Sequence, residues 1–464
     1  MIDATLGSWA MEEFGHAQLG DARRVQRLVA MAAAVAARPA GRLTQVFTNA
    51  ADREAGFRFV ESSQFSHHEI IAATRTAAAR RAAAFPFVYV VTDGAALAPH
   101  NRTGVGFGAL GERNKPYISV GTQAMSALVL CPDGVPLGLA AQHLWTRGPR
   151  PSTPRGRDFR PVQARETGYW LAALADATAA LQTHAPHTLP WFQMDRGADC
   201  AAVFAQGLAL GVGFTVRACY NRRLTGGGTL WSTVGAAPCY GTYILHLPAR
   251  AGRAARRACV ELRACEVTLA LRDACTNTLQ PTQLTVVQAK EINYDGADGI
   301  VWRLLTNRTV TTVATAHTVI TGYCRRWAVE EFHLAWKSGG CRIEDSYLRD
   351  HAHFAKWATL LAAVAIRAER IRKLSRAEPD LPASVEFSPD EIRAVILLRQ
   401  PVGVRHDACP TLGEVVRWIA DTGGYTGKSS GGPPGVRIIA RAMIRVEAVA
   451  AALAAMRGPS GTCG

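Results

Sequence analysis

Residues 323–337 combine the side-chain types that bind phosphates and metal ions. At about 100° per residue, a helix over this stretch is predicted to align four polar side chains on one face: Tyr323, Arg326, Glu330 and Lys337. Phe332 and Trp336 fall on the opposite face and are expected to pack against the protein. The polar face is either a solvated one with salt-bridge spacing, or a site that offers a carboxylate to a metal ion and cations to phosphates.

Two further carboxylates stand where predicted strands end. A continuous β-branched and aromatic run predicts a buried strand that ends at Asp93, and a shorter apolar run ends at Asp195. Together with Glu330, these carboxylates could hold two Mg²⁺ or Mn²⁺ ions, because hard cations prefer oxygen ligands. One ion would activate the attacking oxygen and the other would stabilise the leaving oxygen of a phosphoryl transfer. Sequence spacing alone does not select these three from the other carboxylates.

The first 80 or so residues are predicted to form a small helical unit. One helix is expected from Asp21 to about Ala37, and a second begins near Ser66, where Ser66 and Glu69 have the spacing of a capping box. The first helix places arginines on neighbouring turns: Arg23, Arg24 and Arg27. This basic face either contacts DNA phosphates or is an ordinary solvated helix face, and its spacing does not decide between the two.

The middle of the chain alternates strands and helices, which is typical of an α/β core. The turn Pro132-Asp133-Gly134 joins two apolar runs and predicts a hairpin. Residues 165–181 and 313–337 are predicted to be helical, and residues 301–305 to form a strand. Residues 222–293 carry short alternating segments and indicate a β-rich insertion. The last 90 residues are predicted to be helical, with a glycine-rich interruption before the final helix.

Composition narrows the class of protein. The 464 residues carry 52 Lys and Arg against 37 Asp and Glu, a formal net charge of +15, which favours a polyanionic partner such as nucleic acid. A hydrophobic content of 48% with 19% charged residues excludes extended disorder. The 11 cysteines form no C-x-x-C pair and are expected to be reduced thiols. We expect a cytoplasmic, nucleoid-associated protein, because no secretory signal or membrane-length apolar stretch is visible.

Tyr323, Arg326, Glu330 and Lys337 reproduce the Y-x2-R-x3-E-x6-K signature, and on these residues the chain resembles bacterial insertion-sequence transposases of the DDE type. Other segments resemble the family in the same order along nearly the whole chain: Leu19-Gly20-Asp21 with Arg23-Arg24, Phe57-Arg58-Phe59, the strand ending at Asp93, Glu166-Thr167-Gly168 with Trp170, and Asp195-Arg196 with Ala198-Asp199. A chance match of one signature is conceivable, whereas ordered matches in several segments are not easily produced by chance.

The resemblance implies an α/β fold with an RNase H-like catalytic core, a β-rich insertion, and flanking helical domains. It implies a metal-binding triad of Asp93, Asp195 and Glu330, with two Mg²⁺ or Mn²⁺ ions. The further residues that it implies contact DNA are Tyr323, Arg326, Lys337, Arg217, Trp302, Arg23, Arg24, Arg27 and Arg58. Among them, Arg217 would hold the phosphate of a flipped-out base and Trp302 would stack on that base, although a core tryptophan beside a strand is the plainer interpretation.

The resemblance also implies the domain order and the reaction. The expected domains are residues 1–78 (DNA-end binding), 79–222 (core, first part), 223–298 (β-strand insertion), 299–375 (core, second part) and 376–464 (helical, dimerising). The expected partners are double-stranded DNA, as inverted-repeat ends and as target, and a second copy of the chain. Cut-and-paste transposition with a hairpin intermediate is the expected function. An inactive DNA-end-binding regulator and a structure-specific nuclease are the alternatives.

Overall fold

A computed structural model of the chain describes residues 4–100, 105–110, 120–147, 161–247, 254–273, 276–294, 296, 299–405, 409–427 and 433–456. Its helices are α1 Ala4–Phe14, α2 Ala22–Ala37, α3 Leu43–Val46, α4 Ala50–Glu61, α5 His67–Ala82, α6 Thr167–His184, α7 Ala201–Ala209, α8 Leu230–Ala236, α9 Val313–Arg325, α10 Trp327–Lys337, α11 His351–Ala377, α12 Pro389–Arg399, α13 Leu412–Thr422 and α14 Val436–Met456. Its strands are β1 Phe87–Leu97, β2 Gly108–Ala109, β3 Val120–Leu130, β4 Pro136–Trp145, β5 Leu189–Met194, β6 Gly213–Arg217, β7 Cys239–Leu247, β8 Arg256–Arg272, β9 Leu279–Glu291 and β10 Val301–Thr306.

One large mixed sheet organises the described residues. Its strand order is β2-β3-β1-β5-β6-β10-β9-β8-β7, and β4 also pairs with β3. β1, β5 and β6 are parallel, and the other pairings in the sheet are antiparallel. β1 is buried over five successive residues, because helices cover both faces of the sheet at its centre. The centre of the sheet is therefore the rigid part of the fold.

The predicted β-rich insertion is present and continues the same sheet. Between β6 and β10 the chain forms the short helix α8 and three antiparallel strands, β7 to β9. β8 and β9 have 17 and 13 residues, so the strands are longer than the short segments that the sequence indicated. Alternating burial along β8 fits a strand with one covered face and one face toward solvent.

The N-terminal helices begin where the sequence predicted. The Asp21 side chain caps α2 by accepting from the Arg23 amide at 2.8 Å. Ser66 and Glu69 form the capping box of α5, with the Ser66 amide donating to Glu69 at 2.8 Å. Between them, α3 and α4 pack around the buried Phe59 and Phe47, so this unit is helical throughout.

The longest helix, α11, joins the core to the C-terminal helices. Its 27 residues span about 40 Å, and 19 of them are buried, so it is covered on nearly all sides. The Trp336 indole N–H of α10 donates to the Ala358 carbonyl at 2.9 Å, and the Trp357 indole N–H donates to the Gly41 carbonyl at 2.8 Å. These bonds fix α11 to the carboxylate-bearing helix α10 on one side and to the N-terminal unit on the other.

Within the described ranges, no helix combines the length and apolar character needed to cross a membrane. The nine cysteines in these ranges are free thiols, as the sequence predicted.

Candidate active site

Two aspartates lie side by side because their strands are parallel and in register. β1 pairs with β5 so that Thr92 lies beside Met194. The residue that follows each of them in the chain is an aspartate, Asp93 after Thr92 and Asp195 after Met194. The sequence predicted that the first strand ends at Asp93, but β1 continues to Leu97 because it pairs with β3 beyond that point. β5 ends at Met194 as expected, and the Asp195 side chain caps the following turn by accepting from the Gly197 amide at 2.7 Å. Parallel register at the centre of the sheet therefore brings together two residues that are distant in sequence.

Arg326 connects this pair of strands to the third carboxylate. Its guanidinium donates to Asp93 Oδ2 at 2.9 Å and to Glu330 Oε1 at 2.6 Å. The Arg326 and Asp93 side chains are 13% and 18% exposed, so this ion pair is largely withdrawn from water, whereas Glu330 is 36% exposed. Glu330 lies in the first turn of α10, one helical turn after Arg326. The structure thus brings Asp93 and Glu330 to one guanidinium.

The carboxylates repel one another. Burial, and after it the neighbouring charge of Asp195, raise the pKa of Asp93 to about 6, even though Arg326 and the Gly94 amide act in the opposite direction. One guanidinium therefore does not offset the cost of keeping these negative charges together. A site of this kind gains free energy when an additional cation binds.

These residues fit a hard divalent cation in donor type, because all three are carboxylates. Burial first, and then the charges of Asp195 and Glu330, raise the pKa of Asp93, so a bound cation would stabilise its charged form. No three His, Cys, Asp or Glu side chains of the described residues converge closely enough to hold a metal ion as they stand. Arg326 bonds one oxygen of Asp93 and one of Glu330, so a bound cation would share these carboxylates with the guanidinium or displace it.

A second cluster lies beside the carboxylates and contains Arg217, Trp302 and Tyr323. β6 pairs with β10, which sets Arg217 opposite Leu304 and close to Trp302. The Trp302 and Tyr323 rings meet edge to face at a centroid distance of 5.1 Å. Burial raises the pKa of Tyr323 and lowers that of Arg217, and a hydrogen bond between the two side chains partly offsets both effects. The cluster offers a cation, a hydroxyl and an aromatic edge at one place.

The helix that carries the signature departs from its predicted form. A single helix over residues 313–337 was expected, but α9 ends at Arg325 and α10 begins at Trp327. The Arg326 amide bonds to the Tyr323 carbonyl at 3.1 Å, a tighter turn than that of an α-helix. Tyr323 is 5% exposed and packs inward, so it does not share a solvent-facing row with the other signature residues. Lys337 ends α10 and lies 3.7 Å from Glu344.

The N-terminal arginines lie on α2 and α4, and three of the four form surface ion pairs. Arg23 pairs with Asp21 at 3.1 Å and Arg58 with Glu54 at 2.9 Å, both with largely exposed side chains. Arg27 lies 3.8 Å from Asp52, and Arg24 donates to the Leu19 carbonyl at 2.8 Å. Exposed pairs of this kind contribute little to stability, so phosphates can replace the carboxylate partners at small cost.

Asp199 has a structural role that the sequence did not reveal. Its side chain is fully buried, and it accepts from the Cys219 amide at 2.7 Å and from Arg222 Nη2 at 2.7 Å. This carboxylate ties the turn after Asp195 to the loop after β6. The pair Ala198-Asp199 contributed to the resemblance, but residue type alone does not distinguish a buried anchoring carboxylate from a reactive one.

Two central strands of the mixed sheet and the flanking helix α10 bring Asp93, Asp195 and Glu330 within electrostatic reach of one another, an arrangement typical of metal-dependent enzymes of phosphoryl transfer. Three family models match the chain in succession. They are Transposase DNA-binding at residues 7–65, Transposase DDE domain at residues 172–366 and Transposase Tn5 dimerisation domain at residues 363–459. The chain belongs to the Tn5-like DDE transposases.

This membership confirms the predicted α/β fold with an RNase H-like core and helical N- and C-terminal regions. The chain is a DNA transposase with a DNA-binding domain and a dimerisation domain, and a DDE domain implies the use of a divalent metal ion, usually Mg²⁺ or Mn²⁺. The DDE match includes Asp195 and Glu330 but begins after Asp93. The assignment of Asp93 to this group therefore depends on the strand register and on the Arg326 bridge.

Proposed function

We propose that this transposase performs cut-and-paste transposition, with Asp93, Asp195 and Glu330 as the metal-binding triad. The observation that carries the proposal is the meeting of the three carboxylates. Strand register sets Asp93 beside Asp195, and Arg326 bonds both Asp93 and Glu330. A chain folded for DNA binding alone would have no need to gather negative charge in a buried place, since that charge costs stability.

When bound at the three carboxylates, two Mg²⁺ or Mn²⁺ ions would lower the pKa of the attacking water and stabilise the leaving oxygen. The protein's own contribution is positional. The sheet fixes Asp93 and Asp195, and α10 fixes Glu330, so the ligands are held at low cost in conformational entropy. Arg326 would exchange a carboxylate partner for a phosphate of the bound strand, since a guanidinium binds either anion in the same planar geometry.

Tyr323, Arg326 and Lys337 would contact phosphates of the transposon end near the scissile bond. Water would attack the phosphorus atom at the element boundary, and the bond to the 3′ oxygen would break. The freed 3′ hydroxyl would then attack the opposite strand and form a hairpin. Hydrolysis of that hairpin and attack of the 3′ ends on target DNA would complete the transfer.

Hairpin formation requires a strongly bent strand, and the cluster of Arg217, Trp302 and Tyr323 is suited to it. Trp302 would stack on a base removed from the duplex, which offsets part of the unstacking cost, and Arg217 would hold its phosphate. The edge-to-face contact of Trp302 with Tyr323 leaves the indole partly exposed, as a stacking platform must be.

Recognition of inverted-repeat ends would fall to the N-terminal helices. Arg23, Arg24 and Arg27 lie on α2 and Arg58 on α4, within the DNA-binding match. We further propose the division into residues 1–78, 79–222, 223–298, 299–375 and 376–464 as the end-binding, core, insertion, core and dimerising parts. On DNA, two copies would each hold one end.

The test uses purified protein, labelled DNA that carries the repeats bordering the gene, and Mg²⁺ or Mn²⁺. We expect nicks and then hairpins at the repeat boundary, resolved on denaturing gels, and their loss in Asp93→Asn and Glu330→Ala with DNA binding retained. Asp133→Asn, in the exposed hairpin turn, is the matched control and should cleave normally. Specific binding without cleavage in every form would instead identify a regulator, and cleavage that ignores the repeats would identify a structure-specific nuclease.

A further inference from the structure

Two polar side chains continue the line of the aspartates across the sheet. β3 pairs with β1 so that Ser126 lies directly opposite Asp93, and β4 pairs with β3 so that Gln142 lies directly opposite Ser126. Residues that lie opposite each other on neighbouring strands project from the same face of the sheet, with Cβ atoms about 4.5–5.5 Å apart. We call Ser126 and Gln142 the inner pair.

The inner pair is buried more deeply than the carboxylate beside it. Ser126 is 0% exposed and Gln142 is 1% exposed, whereas the Asp93 side chain is 18% exposed. The neighbours of Ser126 on the same face of β3 are Ala124 and Leu128, which belong to the hydrophobic core. The inner pair therefore extends from the candidate active site into apolar surroundings.

The polar atoms of the inner pair are not used by the rest of the fold. Within the described ranges, neither the Ser126 hydroxyl nor either end of the Gln142 amide has a hydrogen-bond partner. A buried polar group in this state destabilises the folded protein, and an apolar residue of similar size would avoid that cost. Packing therefore does not explain a serine and a glutamine at these positions, whereas a role at the neighbouring carboxylate does.

Asp93 can accept hydrogen bonds beyond those it makes in this structure. Its Oδ1 accepts from the Gly94 amide at 2.8 Å, and its Oδ2 accepts from Arg326 at 2.9 Å. A carboxylate has about four lone-pair sites, so a hydroxyl on the adjacent strand can donate to it as well. When Arg326 releases Asp93, that hydroxyl can keep the carboxylate from turning about its side-chain bonds.

We propose that the inner pair positions Asp93 for cation binding, with the Ser126 hydroxyl donating to the Asp93 carboxylate and the Gln142 amide N–H donating to Ser126 Oγ. This role rests on the proposed function, in which Asp93 is a metal ligand. Neither residue contacts the cation or DNA, so both are positioning residues that act through Asp93. Removal of an outer hydrogen bond of this kind typically lowers metal affinity by about 10- to 100-fold.

The test titrates the full-length, metal-free protein with Mn²⁺ alone and measures free Mn²⁺ by electron paramagnetic resonance. Asp93→Asn identifies the part of the binding that depends on Asp93. For that part, Ser126→Ala should bind Mn²⁺ at least about tenfold more weakly than the wild type, and Gln142→Met should change the affinity in the same direction. Because Gln142 acts through Ser126, Ser126→Ala/Gln142→Met should bind Mn²⁺ as Ser126→Ala does.

Thr92→Val is the matched control. Thr92 is as deeply buried as Ser126, and its hydroxyl likewise has no hydrogen-bond partner among the described residues. It precedes Asp93 on β1 and projects from the opposite face of the sheet, so Thr92→Val should leave the Mn²⁺ affinity unchanged. Urea unfolding in EDTA gives a readout that a merely structural serine would change. Ser126→Ala should have the same urea midpoint as the wild type, or a higher one.

The contrary outcomes can be told apart. Equal Mn²⁺ affinity for the wild type and Ser126→Ala, with weaker binding by Asp93→Asn, would overturn the positioning role and leave the triad intact. An equal loss of affinity in Thr92→Val, or a lower urea midpoint for Ser126→Ala in EDTA, would also overturn it, because either result indicates a packing effect. Equal affinity for the wild type and Asp93→Asn would overturn both the triad and the positioning role. A wild type that binds Mn²⁺ through Asp93 but does not cleave repeat-bearing DNA would refute only the proposed function.

Discussion

A buried ion cluster holds α10 on α11, and removing its central cation should strongly destabilise the protein. Arg372 is 7% exposed at its side chain and pairs with Glu369 on the same helix and with Glu331 of α10 at 3.0 Å. Lys373 also contacts Glu331, at 2.7 Å. In Arg372→Met, Glu331 keeps Lys373, but Glu369, with 3% of its side chain exposed, loses its cation.

The expected loss is about 3 kcal/mol, at the lower end of the range of about 3–5 kcal/mol for removal of one partner from a buried pair, because Lys373 remains nearby. Burial already raises the pKa of Glu369, and Arg372 acts against that rise. A carboxyl whose pKa is raised by folding destabilises the folded protein once the pH exceeds its ordinary pKa of 4.5. The stability lost in Arg372→Met should therefore be small near pH 4.5 and should grow as the pH rises.

The assay is urea unfolding followed by tryptophan fluorescence, to which the fully buried Trp336 of α10 and Trp357 of α11 contribute. Measurements at about pH 5 and about pH 8 test the predicted growth of the deficit. Arg399→Met, which breaks the exposed pair with Asp421, should cost no more than about 1 kcal/mol. Glu369→Met/Arg372→Met removes both charges and should recover most of the loss. A deficit below about 1 kcal/mol for Arg372→Met at about pH 8, or an equal deficit at both pH values, would refute the reasoning.

Three other changes have defined outcomes. In urea unfolding with EDTA above pH 6, Asp93→Asn should be more stable than the wild type by up to about 3 kcal/mol. The reason is that folding raises the pKa of Asp93 from 3.8 to about 6, so its charged form destabilises the folded protein as the pH rises above 3.8. Trp302→Ala should still nick DNA but yield about tenfold less hairpin on denaturing gels, because base stacking contributes about 1–3 kcal/mol. Gly41→Ala should lower stability by about 1–3 kcal/mol in thermal unfolding, because its Cβ would lie 2.0 Å from the Arg342 carbonyl oxygen.

Each of these has a control and a contrary result. For Asp93→Asn, saturating Mg²⁺ should reduce the difference, since it stabilises only the protein that binds it, and a less stable variant in EDTA would contradict the electrostatic account. For Trp302→Ala, the control is Trp231→Ala, which removes an exposed tryptophan of α8 and should leave the hairpin yield unchanged. An equal loss of hairpin in both variants would show that Trp302 has no specific part in stacking on the flipped base. For Gly41→Ala, unchanged thermal stability would show that Gly41 is not closely packed against the Arg342 carbonyl.

Local signals in the sequence predicted most of the elements. Asp21 and Ser66 cap α2 and α5 because their side-chain oxygens accept hydrogen bonds from first-turn amides that have no partner within the helix. Such a cap depends only on a few neighbouring residues, so it can be predicted from the sequence. The strand before Asp93 and the hairpin at Pro132-Asp133-Gly134 followed in the same way from apolar runs and turn residues. The β-rich insertion was predicted as a region, but the length of β8 was not, since it depends on pairing with β9.

The site was predicted less completely, because its form depends on contacts between distant parts of the chain. The break between α9 and α10 turns Tyr323 inward against Trp302, and helical periodicity alone gave a continuous polar face. The bridge from Arg326 to Asp93 joins residues 233 positions apart, so sequence spacing carried no sign of it. The buried charge of Asp199 was equally hidden, because its partners come from the loop after β6.

The position of α11 limits where two related transposase genes can recombine and still encode a folded protein. It begins within the segment matched to the DDE domain and ends within that matched to the dimerisation domain, and its Trp357 bonds to Gly41 in the segment matched to DNA binding. A recombination event between two related elements at the boundary of the last two segments would join halves of one buried helix from different parents. The mismatched packing would fall in the core of the hybrid protein. Viable crossovers should therefore lie outside α11, and lineages of this transposase should inherit the helix whole.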